Sequence, residues 1–282
     1  MLPSFLLSLR EGLEAALVIG IVLSAVRQMR RLDTSPAVSR KLSLTVWMGA
    51  GSAALLSLIA AILLTGLGLE LKDPAEAIFE AITMVLAAGV LTWMVFWMNG
   101  HARNLKSDLE SGVQRISGGG RWSLFSLAFL AVLREGLELA LYLAAATLTS
   151  TASQTITGAL LGLATAAFLG WSLFATSVRL DLRRFFQVTG ILLIFFAAGL
   201  VAHSLHEFNE LGWIPGVIEH VWDASPILSD RSAVGLVLAT LFGYSSSPSL
   251  TELLAYAAYF MAVLLGLGLA GRRSAPAQRG HA

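Results

Sequence analysis

The chain has 282 residues, 56% hydrophobic and 13% charged, with a formal net charge of +1 and no cysteine. Soluble domains carry about 25% charged residues, so this composition, with a mean hydropathy of +0.75, excludes an ordinary soluble globular domain. The lack of cysteine excludes disulfides, thiolate metal sites and cluster ligation by thiolates.

Apolar runs of about 20 residues, the length that crosses a hydrocarbon core, recur along almost the whole chain. They predict helices over 3–27, 42–68, 76–99, 122–148, 155–178, 185–208 and 250–270. A bilayer offers backbone groups no partners, so helices are the expected spanning form. The first run has no basic residues ahead of it and contains Arg10, Glu11 and Glu14; this argues for a retained helix rather than a cleaved signal. The glycine-rich stretch 112–121 reads as a cytoplasmic linker. The stretch 209–249 reads as an extracytoplasmic segment, too long for a plain loop. Within it, the apolar run Ala233–Phe242 is too short to span and suits a re-entrant or interfacial helix.

Basic residues set an orientation. If the seven spans alternate sides, fifteen of the nineteen Lys/Arg fall on one face, and only Lys72 and Arg231 lie on the other. The positive-inside rule makes the basic face cytoplasmic. This predicts a multi-pass protein of the cytoplasmic (inner) membrane, N-terminus outside and C-terminus in the cytoplasm. Acidic residues gather on the outer side, among them Asp73, Glu76, Glu80, Glu207, Glu210 and Glu252. An acidic outer vestibule would concentrate cations, although loop solvation accounts for any single one of these residues equally well.

One string occurs twice. Leu-Arg-Glu-Gly-Leu-Glu stands at Leu9–Glu14 and again at Leu133–Glu138, and eight of nine positions match between 9–17 and 133–141. Ala87-Ala88-Gly89-Val90 echoes Ala197-Ala198-Gly199-Leu200 more weakly. The expected fold is therefore an all-α integral membrane protein with seven transmembrane helices: an inverted 3+3 repeat (1–111 and 122–208) plus one C-terminal helix and tail (250–282). Each unit has an odd number of spans, which inverts the second, a common transporter plan. Gly158 and Gly162, at GxxxG spacing, suit close helix packing.

Ionisable residues at membrane depth are costly and mark functional sites. With about 100° per residue, Glu11 and Glu14 share a helix face and Arg10 lies near Glu14; Arg134, Glu135 and Glu138 repeat the arrangement. Both copies fall near the midplane, so antiparallel helices could bring four carboxylates to one level. Gly12 and Gly136 leave room for a neighbouring helix. Four Glu against two Arg leave a formal excess of two negative charges, which a bound cation would offset; carboxylate oxygens favour hard cations. The bland alternative, a pair of Arg–Glu clamps between helices, explains the Arg but not the second Glu of each copy. Glu11, Glu14, Glu135 and Glu138 are thus the candidate metal ligands, with Arg10 and Arg134 as charge partners. His203, His206 and Glu207, on one face at the outer end of the sixth span, form a second candidate metal cluster, since imidazole with carboxylate suits transition metals. Asp73, Glu76, Glu80 and Glu210 would line the outer vestibule. Glu219-His220 is a weaker candidate.

The paired Arg-Glu-Gly-Leu-Glu resembles the signature of the oxidase-dependent iron permeases, the FTR family of fungi and its bacterial EfeU branch. The segment Trp222–Ser229 and Gly243-Tyr244 also resemble that family. The resemblance implies uptake of iron, in the ferric form, across the cytoplasmic membrane, with Arg10, Glu11, Glu14, Arg134, Glu135 and Glu138 as essential positions. It implies extracytoplasmic partners: a periplasmic iron-binding protein and a haem peroxidase in bacterial systems, a multicopper oxidase or other ferroxidase in fungal ones. No nucleic-acid partner, catalytic residue or resident cofactor is expected; Fe3+ or Fe2+ is the cargo. Physics alone leaves a divalent metal transporter (Mn2+ or Fe2+) open. An intramembrane metalloenzyme is the remaining alternative, but Glu210 stands where H-E-x-x-H needs a histidine.

Overall fold

The computed structural model describes residues 1–32, 36–72, 74–101, 120–175, 181–214, 218, 220–230 and 232–273. Asp73, Glu219, most of the 112–121 linker and the tail after Arg273 lie outside the described residues. The described residues form eight helices and no strand: α1 (Leu2–Leu32), α2 (Pro36–Glu70), α3 (Ala75–His101), α4 (Gly120–Thr149), α5 (Ala152–Ala175), α6 (Leu182–Glu210), α7 (Ala233–Phe242) and α8 (Leu250–Arg273). Five of them, α2, α3, α5, α6 and α8, are long and apolar enough to cross a membrane. The two motif helices α1 and α4 match them in length, but three ionisable residues each interrupt their apolar runs. The apolar faces of α2, α5 and α8 are broadly exposed, with Leu55, Ile62, Leu63, Leu160, Phe168, Met261 and Leu264 all turned outward. Exposed apolar surface on this scale marks a protein whose surroundings are themselves apolar.

The helices pack in a cross-over pattern. The most extensive contacts are α2 on α4, α1 on α5 and α3 on α6, with α1 also on α4 and α8 on α6. Small residues make the first two possible. Along α1, Ser4, Ser8, Gly12 and Ala16 face Gly158, Gly162, Ala166 and Gly170 of α5. A side chain at Gly158 would meet the Ser4 Cβ at 3.1 Å, and one at Gly162 the Ser8 Cβ at 2.8 Å. The GxxxG pair thus brings two backbones close together, as its spacing suggested. On the other side, Gly49 of α2 faces Phe125, Ala128 and Phe129 of α4, and Ser57 of α2 covers Gly136. The glycine of each motif copy is therefore covered by the helix that directly follows the other copy: Gly12 by α5, Gly136 by α2.

The main core lies between α3, α4 and α6. Met84, Ala87, Ala88, Leu91 and Met94 recur at helical spacing along α3 and meet Leu193, Phe196, Ala197 and Leu200 of α6 and Tyr142, Ala145 and Ala146 of α4. The weak echo between Ala87-Ala88 and Ala197-Ala198 thus falls where the two helices touch.

The short run after α6 behaves as its length requires. Ser232 caps α7 by accepting the Gly235 N–H at 2.9 Å, and Gly243 ends it at φ 64°, a left-handed turn that glycine adopts without a Cβ penalty. Gly243 packs backbone to backbone on Gly199 of α6, which seats α7 against the bundle.

Candidate metal-transit site

The first motif copy lies inside the bundle, and the second is partly enclosed, with Glu135 buried and Arg134 exposed. Arg10 is fully buried, Glu11 and Glu14 nearly so, and Glu135 is 8% exposed. One carboxylate oxygen from each of Glu11, Glu14 and Glu135 can be taken so that all three lie within 4.8 Å of one another. Three oxygens at that spacing can share one ion with modest side-chain adjustment. Both oxygens of Glu11, Oε1 of Glu14 and Oε2 of Glu135 are buried without a hydrogen-bond partner among the described residues. Leaving a buried acceptor unsatisfied costs about 1–3 kcal/mol, more for a charged group; the buried Arg10 guanidinium, itself without a hydrogen bond among the described residues, offsets one of the three negative charges.

The arginines flank this trio unequally. Arg10 reaches Glu14 with its Nε 3.3 Å from Oε1, and its side chain is 0% exposed. Arg134 donates from Nε to Glu138 Oε1 at 2.9 Å, lies 3.9 Å from Glu135, and is 46% exposed. Its guanidinium stacks over Trp97 of α3, 5.1 Å from the ring centroid, within cation–π range. Glu138 is thus engaged by Arg134, and Tyr142 one turn on donates its hydroxyl to Glu138 Oε2 at 3.4 Å. Of the four expected carboxylates, three converge and the fourth sits beside them in a salt bridge.

The histidine cluster at the end of α6 is arranged differently from its sequence spacing. His203 and His206 lie side by side, ring centroids 6.1 Å apart. His206 Nδ1 is 2.9 Å from Glu252 Oε1 of α8, and its Nε2 is 3.3 Å from Glu210 Oε1. Together with His220 and Asp230 they line a cavity of about 740 Å³ at the C-terminal end of α6 and the N-terminal end of α8. Glu207 is not among the lining residues; it lies within electrostatic reach of Glu80 on α3, as Glu76 does. Glu252, which the sequence offered only as one acidic residue among many, is the partner of His206. The one available signal was a lone carboxylate in the first turn of an otherwise apolar helix. Trp97 and Tyr142 gave no signal, because aromatic residues in apolar helices are common.

Residues 1–272 match the family model described as the iron permease FTR1 family. The chain belongs to the iron permease FTR1 family. Within curated proteins it is 36% identical over 289 residues to the protein named ferrous iron permease EfeU of Shigella sonnei (strain Ss046), covering 99% of each chain. The same figures hold for its namesake in Escherichia coli O157:H7. The Yersinia pestis protein of that name is 33% identical over 278 residues, covering 98% of this chain and 96% of its own. No solved structure matches. As a member of the FTR1 family the chain is a multi-pass membrane permease rather than an enzyme, and its apolar helices agree with that.

Proposed function

We propose that this FTR1-family chain carries iron inward across the cytoplasmic membrane, and that the ion passes through the Glu11–Glu14–Glu135 trio. The observation that carries the reading is the convergence of three buried carboxylates, with both oxygens of Glu11 and Oε2 of Glu135 lacking a hydrogen bond among the described residues. Arg10 and Arg134 hold the empty carboxylates against mutual repulsion, and Glu138, paired to Arg134, stands ready beside the trio. Competing guanidinium charges keep the cage from trapping a highly charged ion. In this reading all seven long helices span, with the N-terminus outside. α1–α3 and α4–α6 form an inverted repeat, supported by the matched pairings of α2 with α4 and α5 with α1. A periplasmic iron-binding protein with a haem peroxidase or other ferroxidase supplies the ion from outside.

The ferric form is what the family resemblance implies, and the all-oxygen donor set suits hard cations in general. A second reading, Fe2+, is favoured by two observations. The relatives are named ferrous iron permeases, and the trio with Arg10 carries a formal excess of two negative charges, which a divalent ion balances.

Iron uptake by cells expressing Glu11→Gln and Glu135→Gln tests the site. Uptake is expected to fall by at least about tenfold, the scale at which site substitutions act, with the protein still present in the membrane. Wild-type uptake in both variants would sink the proposal. Reconstituted vesicles offered Fe2+, Fe3+ and Mn2+ in competition separate the cargo readings.

A further inference from the structure

The outer cavity holds His206 in a specific way. One ring nitrogen, Nδ1, faces Glu252 at 2.9 Å, while the other, Nε2, is held by Glu210 at 3.3 Å. Metal-ligating histidines are oriented in this manner: a carboxylate fixes one nitrogen and the other meets the ion. Bonds of about 2.1 Å place adjacent ligand atoms of an octahedral ion about 3 Å apart. Nδ1 and Glu252 Oε1 already stand at that spacing. A hydrogen bond has the same length, so the distance alone does not decide. A second imidazole is at hand: His203 lies alongside with its ring centroid 6.1 Å away, and it must turn toward the cavity to share an ion with His206, because among the described residues only Glu11, Glu14 and Glu135 hold ligand atoms within 4.8 Å of one another. All four residues border the same open volume of about 740 Å³.

We propose that the outer cavity contains a second metal site, formed by His203, His206 and Glu252 and oriented by Glu210, that takes a divalent transition-metal ion before it reaches the trio. Two imidazoles and a carboxylate suit Fe2+, Co2+ or Zn2+ rather than Mg2+ or Ca2+. That the bound ion is cargo rests on the permease reading; that it binds does not. The floor of the cavity includes Phe196 and Leu200. Both belong to the same apolar cluster as Tyr142, whose hydroxyl reaches Glu138. One apolar layer therefore separates the outer site from the inner carboxylates.

The test uses the purified full-length protein in detergent, titrated with Co2+ as an air-stable probe and followed by its visible absorption and by calorimetry. A Glu11→Gln/Glu14→Gln/Glu135→Gln variant removes the trio as a competing site. In that background a Co2+ site with imidazole-type absorption is expected to remain, and His203→Ala or Glu252→Gln is expected to weaken it by at least about tenfold. His203→Ala leaves the His206–Glu252 bridge between α6 and α8 in place, so its effect does not stem from a lost helix contact. Loss of all Co2+ binding in the trio variant overturns the proposal, as does unchanged binding when His203→Ala and Glu252→Gln are added to it. Failure of the permease reading has a different signature: wild-type iron uptake by the trio variant, whatever the Co2+ titration shows.

Discussion

The two motif arginines are equivalent in sequence and unequal in the fold, which gives a sharp prediction. Arg10 is fully enclosed beside Glu14, whose side chain is 8% exposed. In Arg10→Gln the charge that offsets Glu11 and Glu14 disappears from a closed site. Breaking a buried ion pair by removing one partner costs about 3–5 kcal/mol. Arg134 is 46% exposed. Its loss forfeits an open pair with Glu138, worth about 0.2–1 kcal/mol, and a partly exposed stack on Trp97 worth about 0.5–1 kcal/mol. Together these come to roughly 1 kcal/mol once overlap is allowed for. A domain of 150–250 residues loses about 2–4 °C of melting temperature per kcal/mol. Arg10→Gln should then melt roughly 6–20 °C below wild type, and Arg134→Gln only about 2–4 °C below it. The assay is thermal unfolding of the purified protein in one detergent, without added metal. Equal losses for the two variants, or a larger one for Arg134→Gln, would refute the argument from enclosure.

Three further outcomes follow from the packing. Gly12→Ala places a Cβ 2.8 Å from that of Ala166 and should cost about 1–3 kcal/mol; adding Ala166→Gly should recover most of it in the same melting assay. Gly136→Ala collides with Ser57 and should lose a similar amount, recovered by Ser57→Gly. Tyr142→Phe removes only the long hydrogen bond to Glu138 and should cost no more than about 1 kcal/mol. Tyr142→Ala empties the centre of the core at about 3–5 kcal/mol, so denaturant unfolding should separate the two sharply.

How much of this was legible from sequence depends on how locally each feature is encoded. The short helix Ala233–Phe242 was readable to the residue, because its apolar run is encoded within its own stretch. The pairing of Glu11 with Glu14 on one face followed from helical period alone. The meeting of Glu135 with them needed only that two copies of a motif run antiparallel at similar depth. The inequality of Arg10 and Arg134 could not be read, since identical strings receive different neighbours. Arg134 meets Trp97, which lies on α3, while Arg10 is sealed by the bundle. His206 illustrates the same limit: its spacing pointed to Glu207 one position on, but the carboxylate at its Nδ1 comes from Glu252, 46 residues away. Tertiary contact decided that, and helical spacing had no access to it.

The cross-over of α1 onto α5 has a consequence for how the protein is made. α1 ends at Leu32 and α5 begins only at Ala152. At about 5–20 residues per second, those roughly 120 intervening residues take on the order of 6–24 seconds to synthesise. During that interval Ser4, Ser8 and Gly12 have no partner stripe, and Arg10, Glu11 and Glu14 have neither Glu135 nor the walls that bury them. The first helix to emerge is therefore among the last to complete its packing. Its charges must be sheltered by water or by the insertion machinery until the second half of the chain arrives, and substitutions on α5, far from any ion, should act first on the amount of protein that reaches the membrane.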